Sequence, residues 1–145
     1  MIEVSLVRLD ADLPLPAYAR AGDAAVDLVA ADDVLLVAGG GRAVVPTGVA
    51  VAIPDGWAGL VLPRSGLAAR HGVTVMNAPG LVDSGYRGEL RVVLVNTDPA
   101  SDYQVSRGDR VAQLLVQRVE PALFTPAEEL PTSERGIGGF GHTGR

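Results

Sequence analysis

Residues 43–53 read Ala-Val-Val-Pro-Thr-Gly-Val-Ala-Val-Ala-Ile, and the second half of this stretch decides the fold class. Val49, Val51 and Ile53 alternate with Ala50 and Ala52. A period of two, with large side chains on one side and small ones on the other, marks a strand with unequal faces. Working outward, β-rich segments recur at 2–8, 24–30, 34–37, 60–62, 73–76, 90–96 and 110–120. Turn formers separate them, among them Gly39-Gly40-Gly41, Pro54-Asp55-Gly56 and Asn96-Thr97-Asp98-Pro99. The only helical stretch is 65–70. Many short strands, one helical turn and no internal repeat predict an all-β domain, a jelly roll or β-barrel-like body.

A chain of 145 residues makes one domain, long enough to bury roughly 70% of its unfolded surface. Within that domain, residues 1–120 form the β-rich body, and 121–145 form a connector and C-terminal arm. Pro121, Pro126 and Pro131 punctuate the connector, and the arm beyond it is dense in glycine. Such a segment cannot bury enough apolar surface to order itself. It is either a plain disordered terminus or, given Arg135, Phe140 and Thr143, a mobile arm that closes over a planar ligand.

The net charge of −5 excludes a general nucleic-acid or anionic-membrane binder, since both need a basic surface. No apolar run approaches the ~20 residues that span a bilayer, and no signal peptide is read at the N-terminus. Cysteine is absent, so there is no disulfide and no thiolate metal site, in keeping with a cytoplasmic location. All 12 basic residues are arginines, the better fork for phosphate oxygens.

Three local patterns can carry chemistry. Residues 80–90, Gly-Leu-Val-Asp-Ser-Gly-Tyr-Arg-Gly-Glu-Leu, place Asp83 and Tyr86 among glycines, at the two sides of a tight hairpin end. A carboxylate beside an aromatic face suits a base that activates water next to a bound nucleoside; the plain alternative is a glycine-rich turn. In Pro63-Arg64-Ser65-Gly66, Ser65 is placed as the N-cap of the short helix, whose free amides form an anion site or merely an ordinary cap. Gln113 lies in an otherwise apolar strand, where a glutamine most often faces solvent.

The 80–90 run resembles the third motif of the trimeric deoxyuridine triphosphatases, and four more motifs follow the family order. They are Ala21-Gly22-Asp23-Ala24-Ala25-Val26-Asp27-Leu28, Pro63-Arg64-Ser65-Gly66-Leu67-Ala68, Gly108-Asp109-Arg110-Val111-Ala112-Gln113-Leu114, and residues 135–144, Arg-Gly-Ile-Gly-Gly-Phe-Gly-His-Thr-Gly. Two departures stand out: Ala25 where the family commonly has Gly, and His142 where it usually has Ser. The resemblance implies a Mg²⁺-dependent homotrimer, with shared active sites and no nucleic-acid or membrane partner, that splits dUTP to dUMP and pyrophosphate. Such an enzyme keeps uracil out of DNA and supplies dUMP for thymidylate synthesis.

By the same resemblance Asp83 is the catalytic base and Asp27 holds Mg²⁺ through water. Arg64, Ser65, Gly66 and Gln113 contact the phosphate chain. Asn77 and Gly80 read the uracil edge, and Tyr86 lies under the sugar. In the arm, Arg135 and Thr143 reach the γ-phosphate, Phe140 stacks on the base, and Gly141 and His142 complete the substrate contacts. Asp23 is read as a turn residue and His71 as surface. Two other readings fit the same fold: a dCTP deaminase-like enzyme and a non-catalytic nucleotide-sensing module. The deaminases carry a catalytic Glu in the strand after the Asp turn; aligned through Gly85 and Gly88, that position here is Val93.

Overall fold

The computed structural model describes residues 2–139. Ten strands and one helix follow in the order β1 (Ser5–Arg8), β2 (Val26–Val29), β3 (Val34–Leu36), β4 (Arg42–Ala52), β5 (Trp57–Leu62), α1 (Ser65–His71), β6 (Val73–Val75), β7 (Gly80–Val82), β8 (Glu89–Asn96), β9 (Tyr103–Val105) and β10 (Arg110–Arg118). One four-stranded sheet runs β1-β4-β8-β6, a second runs β2-β10-β5-β7, and β3 pairs with β9 in a small ribbon. All pairings are antiparallel. This is the all-β, jelly-roll-like body that the alternation predicts. No helix among the described residues is long and apolar enough to cross a membrane.

The period of two becomes burial. Val49, Val51 and Ile53 are inside, while Ala50 and Ala52 are half-buried. In β8, Leu90, Val92 and Leu94 point inward, to meet Leu28, Val61 and Leu114 of the other sheet in one apolar cluster. At roughly 1.5–3 kcal/mol for each fully buried large aliphatic side chain, this cluster is the main favourable term holding the layers together. Two polar side chains are buried with them, and both are satisfied. The Thr47 hydroxyl donates to the Leu90 carbonyl at 2.6 Å, and the Asn96 amide donates to the carbonyls of Leu36 and Ser101 at 3.0 and 2.8 Å. Unpaired, either group would cost about 1–3 kcal/mol.

Two strands escape the sequence reading, β7 and β9, each of three residues. The first also corrects the local geometry of the 80–90 run. β7 pairs with β5 of the second sheet, whereas β8 pairs with β4 and β6 of the first. Asp83 and Tyr86 therefore do not cap a tight hairpin between paired strands. They are the first and fourth residues of a turn, closed by the Tyr86 N–H donating to the Asp83 carbonyl at 3.1 Å, on a loop that crosses between sheets.

Candidate active site

Three strands of the second sheet set a row of side chains. Antiparallel register places Gln113 of β10 opposite Asp27 of β2 on one side and Leu62 of β5 on the other. These three line a cavity of about 340 Å³ with Asp23, Ala24 and Ala25. β5 ends at Leu62, and Arg64 turns back towards the row. Its Nε donates to Asp27 Oδ1 at 2.9 Å and its Nη1 to the Arg110 carbonyl at 3.1 Å. Arg110 adds a longer contact to Asp27 Oδ2 at 3.4 Å. Two guanidiniums around one carboxylate leave one positive charge over at Asp27, which Asp23 on the same cavity offsets. Gln113 is half-buried and donates to the Pro63 carbonyl at 2.9 Å, which ties β10 to the start of the Arg64-Ser65-Gly66 motif.

Ser65 is not the N-cap. The capping residue is Arg64, extended at φ −95° and ψ 125° with no side-chain capping bond, and Ser65 is the first residue of α1, exposed. The hydroxyl is thus not spent on a cap. Gly66 lies under the exposed Arg70 side chain: a Cβ there would lie 3.0 Å from its guanidinium. At its far end α1 stops at Gly72, in the left-handed conformation at φ 63°. The Thr97 hydroxyl holds it there, donating to the Gly72 carbonyl at 2.8 Å. His71 is exposed, yet its ring packs on Tyr103 with centroids 4.8 Å apart. Burial, then the nearby Asp109, push the Tyr103 hydroxyl above its ordinary pKa, so the ring stays neutral under His71.

A second group lies at the other side of β5. Asn77, Gly80, Val61, Val75 and Val93 line a small cavity of about 70 Å³. The Asn77 amide lies over Gly80, where a Cβ would come within 3.3 Å of its Nδ2. Next to it Tyr86, Glu89, Arg91 and Leu81 line a further cavity of about 180 Å³. The Tyr86 hydroxyl donates to the Glu89 carbonyl at 2.9 Å, which lays the ring across Gly88; a Cβ on Gly88 would meet that hydroxyl at 2.5 Å. Asp83 is exposed and, among the described residues, has no ion-pair partner.

The structure therefore brings Asp27, Arg64 and Gln113 together, and separately Asn77 and Gly80, with Tyr86 in the adjoining cavity. The two groups line different cavities. Arg135 stands apart from both, exposed, its Nε donating to the Gly138 carbonyl of its own turn at 2.9 Å. Phe140, Gly141, His142 and Thr143 lie outside the described residues. Sequence reasoning passed over Arg110 and Arg91. Arg110 was legible, since it sits in the Gly-Asp-Arg motif beside Gln113; Arg91 had no local signal.

Among the described residues no three Asp, Glu, His or Cys side chains converge to cage a metal. Asp27 and Asp23 nevertheless line one open polar cavity. Asp23 is held as a turn residue by the Arg20 N–H at 2.8 Å, which leaves Asp27 as the facing carboxylate. That donor set fits a hydrated Mg²⁺, which keeps several waters and shares its coordination with phosphate oxygens.

Comparison with known proteins shows the family. The dUTPase family model matches residues 11–144. A deoxyuridine 5'-triphosphate nucleotidohydrolase of Thermobifida fusca is 62% identical over 143 residues, 99% of this chain and 79% of that protein. One from Mycolicibacterium vanbaalenii is 58% identical over 146 residues, 97% of this chain and 94% of its own. Among solved structures, the Staphylococcus bacteriophage 80alpha dUTPase with dUPNHPP superimposes at a TM-score of 0.91, with 26% identity and 100% of both chains covered. A mutant dUTPase of phage phi11 of S. aureus, reported with a structural Mg(II) ion, matches at 0.82 with 26% identity, over 90% of this chain and 100% of that one. Over almost its whole length, then, this chain belongs to the dUTPase family of hydrolases.

Proposed function

We propose that the chain hydrolyses dUTP to dUMP and pyrophosphate by in-line attack of an Asp83-activated water on the α-phosphorus, in a Mg²⁺-dependent homotrimer. The observation that carries this is the contrast between its two site carboxylates. Asp27 is engaged by Arg64 and Arg110, whereas Asp83 stands on an exposed turn without an ion-pair partner among the described residues. A carboxylate free of cations keeps its lone pairs for a water.

Asn77, over Gly80, offers a donor and an acceptor to the uracil edge, in a small cavity where a Cβ on Gly80 would come within 3.3 Å of its Nδ2. A site built to pair with a base edge rejects mismatched bases because its own polar groups go unpaired. Tyr86, pinned through its hydroxyl, gives the sugar a rigid platform that excludes a 2′-hydroxyl. Arg64, Ser65, Gly66 and Gln113 orient the phosphate chain and stabilise charge on the departing pyrophosphate. Asp27 holds Mg²⁺ through its water shell, and the ion, when bound, neutralises charge on the phosphate oxygens. Arg135 and Thr143 bind the γ-phosphate, Phe140 covers the base, and Gly141 and His142 line the closed arm.

A partner chain is supported by two features. The uracil-side and phosphate-side residues line separate cavities, and the connector carries Leu123, Phe124 and Leu130 exposed at 92%, 89% and 87%. Apolar side chains in such a row mark a docking segment. We place the body at 1–120, the connector and arm at 121–145, and the enzyme in the cytoplasm, where it empties the dUTP pool and supplies dUMP. The test is one assay for pyrophosphate and ammonia release from dUTP and dCTP, with Mg²⁺ and with chelator. Pyrophosphate from dUTP alone, lost on chelation, is expected; ammonia from dCTP would overturn the reading in favour of a deaminase.

A further inference from the structure

Asp83, Ser84, Gly85, Tyr86, Arg87 and Gly88 join β7 of one sheet to β8 of the other. With two glycines in six residues, this backbone has wide freedom unless something removes it. A general base cannot tolerate that freedom, since a misplacement of about 1 Å costs on the order of 10²-fold in rate. Backbone bonding supplies only the closure of the turn by the Tyr86 N–H. The Ser84 hydroxyl adds a tether to Asp55 Oδ1 at 3.2 Å.

The Tyr86 hydroxyl anchors its ring to the Glu89 carbonyl; the constraint on the carbonyls of the turn itself comes from Arg87. Its side chain folds back, and Nη1 donates to the Ser84 carbonyl at 2.6 Å and to the Tyr86 carbonyl at 2.7 Å. Two carbonyl oxygens aimed at one point repel each other; a cation between them turns that repulsion into two charge-assisted bonds. Asp83 precedes the first of these carbonyls, and Tyr86 owns the second. Arg87 has no ion-pair partner among the described residues, so its charge serves the turn.

We propose that Arg87 is a positioning residue for the reaction: it staples the Asp83–Gly88 turn and thereby fixes Asp83 against its water and Tyr86 under the sugar, acting through backbone and touching no substrate atom. This rests on the reading of Asp83 as the base.

The test compares Arg87→Met, of similar length without donors, with Arg87→Lys, which keeps several donors on one charged nitrogen. Both are made in the full chain, and kcat and KM for dUTP are measured with amide hydrogen exchange of residues 84–88 in the unliganded protein. Arg87→Met should lower kcat about tenfold or more, leave KM within about twofold, and speed exchange of the Tyr86 amide. Arg87→Lys should keep both properties near wild type. Wild-type kcat and exchange in Arg87→Met would overturn the proposal. So would equal losses in both variants with exchange unchanged, which would make the guanidinium a direct phosphate ligand. Asp83→Asn assayed in parallel separates the two readings. Normal turnover there refutes Asp83 as base, whereas the staple itself stands or falls on the exchange of the Tyr86 amide.

Discussion

At the residue scale, the proposed chemistry rests on two aspartates that differ in their neighbours. Asp27 accepts from Arg64 at 2.9 Å and so fixes that guanidinium; Asp83 is left open on its turn. Replacing Asp83 with Asn keeps the shape but cannot take a proton. Asp83→Asn should lose at least about tenfold in kcat, ~1.4 kcal/mol of barrier, while calorimetry shows dUTP binding nearly unchanged. A variant keeping more activity than that would remove Asp83 as the base. Most of these side chains were legible because their motifs combine residue types that rarely coincide by chance. Ser65 was misread as a cap because Ser before an apolar helix ordinarily is one; here the extended residue is Arg64, drawn out of the helix by its pairing with Asp27. Arg87 was invisible as a staple, since nothing in a sequence says which carbonyls a long side chain will fold back upon.

At the scale of elements, β4 repays close reading. Pro46 cannot donate to the ladder, the register with β8 breaks between Pro46 and Ala50, and Gly48 takes φ 71° at the break. The N-terminal segment fills the gap: Leu9 and Asp10 N–H groups donate to the Gly48 carbonyl, and the Asp10 carboxylate pairs with Arg107, whose Nη2 donates to Oδ1 at 2.8 Å. The hydrogen bond from Arg107 holds the Asp10 carboxyl below its ordinary pKa of 3.8. A depressed carboxylate contributes stability that is fully present above the unfolded pKa and lost as pH falls through the folded one. Asp10→Asn should therefore lower Tm at neutral pH, with the difference from wild type closing below about pH 4. A constant difference down to pH 2 would remove the ion pair as its cause.

The arm is the opposite kind of element. Residues 119–139 contain no strand or helix and contribute nothing to the core cluster. Truncation after Leu130 should leave Tm without ligand almost unmoved and reduce dUTP turnover severely; full activity in the shortened chain would take the arm out of the mechanism. Strands with a clear period were all found. β7 and β9 were missed because Gly80 starts the one and Gln104 interrupts the other, whereas the equally short β3 and β6 lie in the apolar runs 34–37 and 73–76.

At the scale of the molecule, the residues assigned to one reaction lie in separate cavities of one chain. Closed symmetric assembly is the economical way to bring such halves together. Asp83→Asn and Arg135→Ala should each give nearly inactive protein. Co-refolded in equal amounts, they should recover about a quarter of wild-type activity, one-half times one-half, if turn and arm come from different subunits. No recovery would place both parts on the same subunit. The crossing of the 83–88 loop from the sheet of β7 to that of β8 has a further result. The cavity around Asn77 has Val61 of one layer as one wall and Val75 and Val93 of the other as its opposite wall. On the proposed base-reading role of Asn77, nucleobase selectivity would be a gauge of interlayer spacing: a sliding of the two sheets by a fraction of an ångström would alter the slot before it alters the melting point. Directed evolution for heat tolerance through repacking of the interior would be expected to drift in pyrimidine preference, without one substitution at a residue that meets the nucleotide.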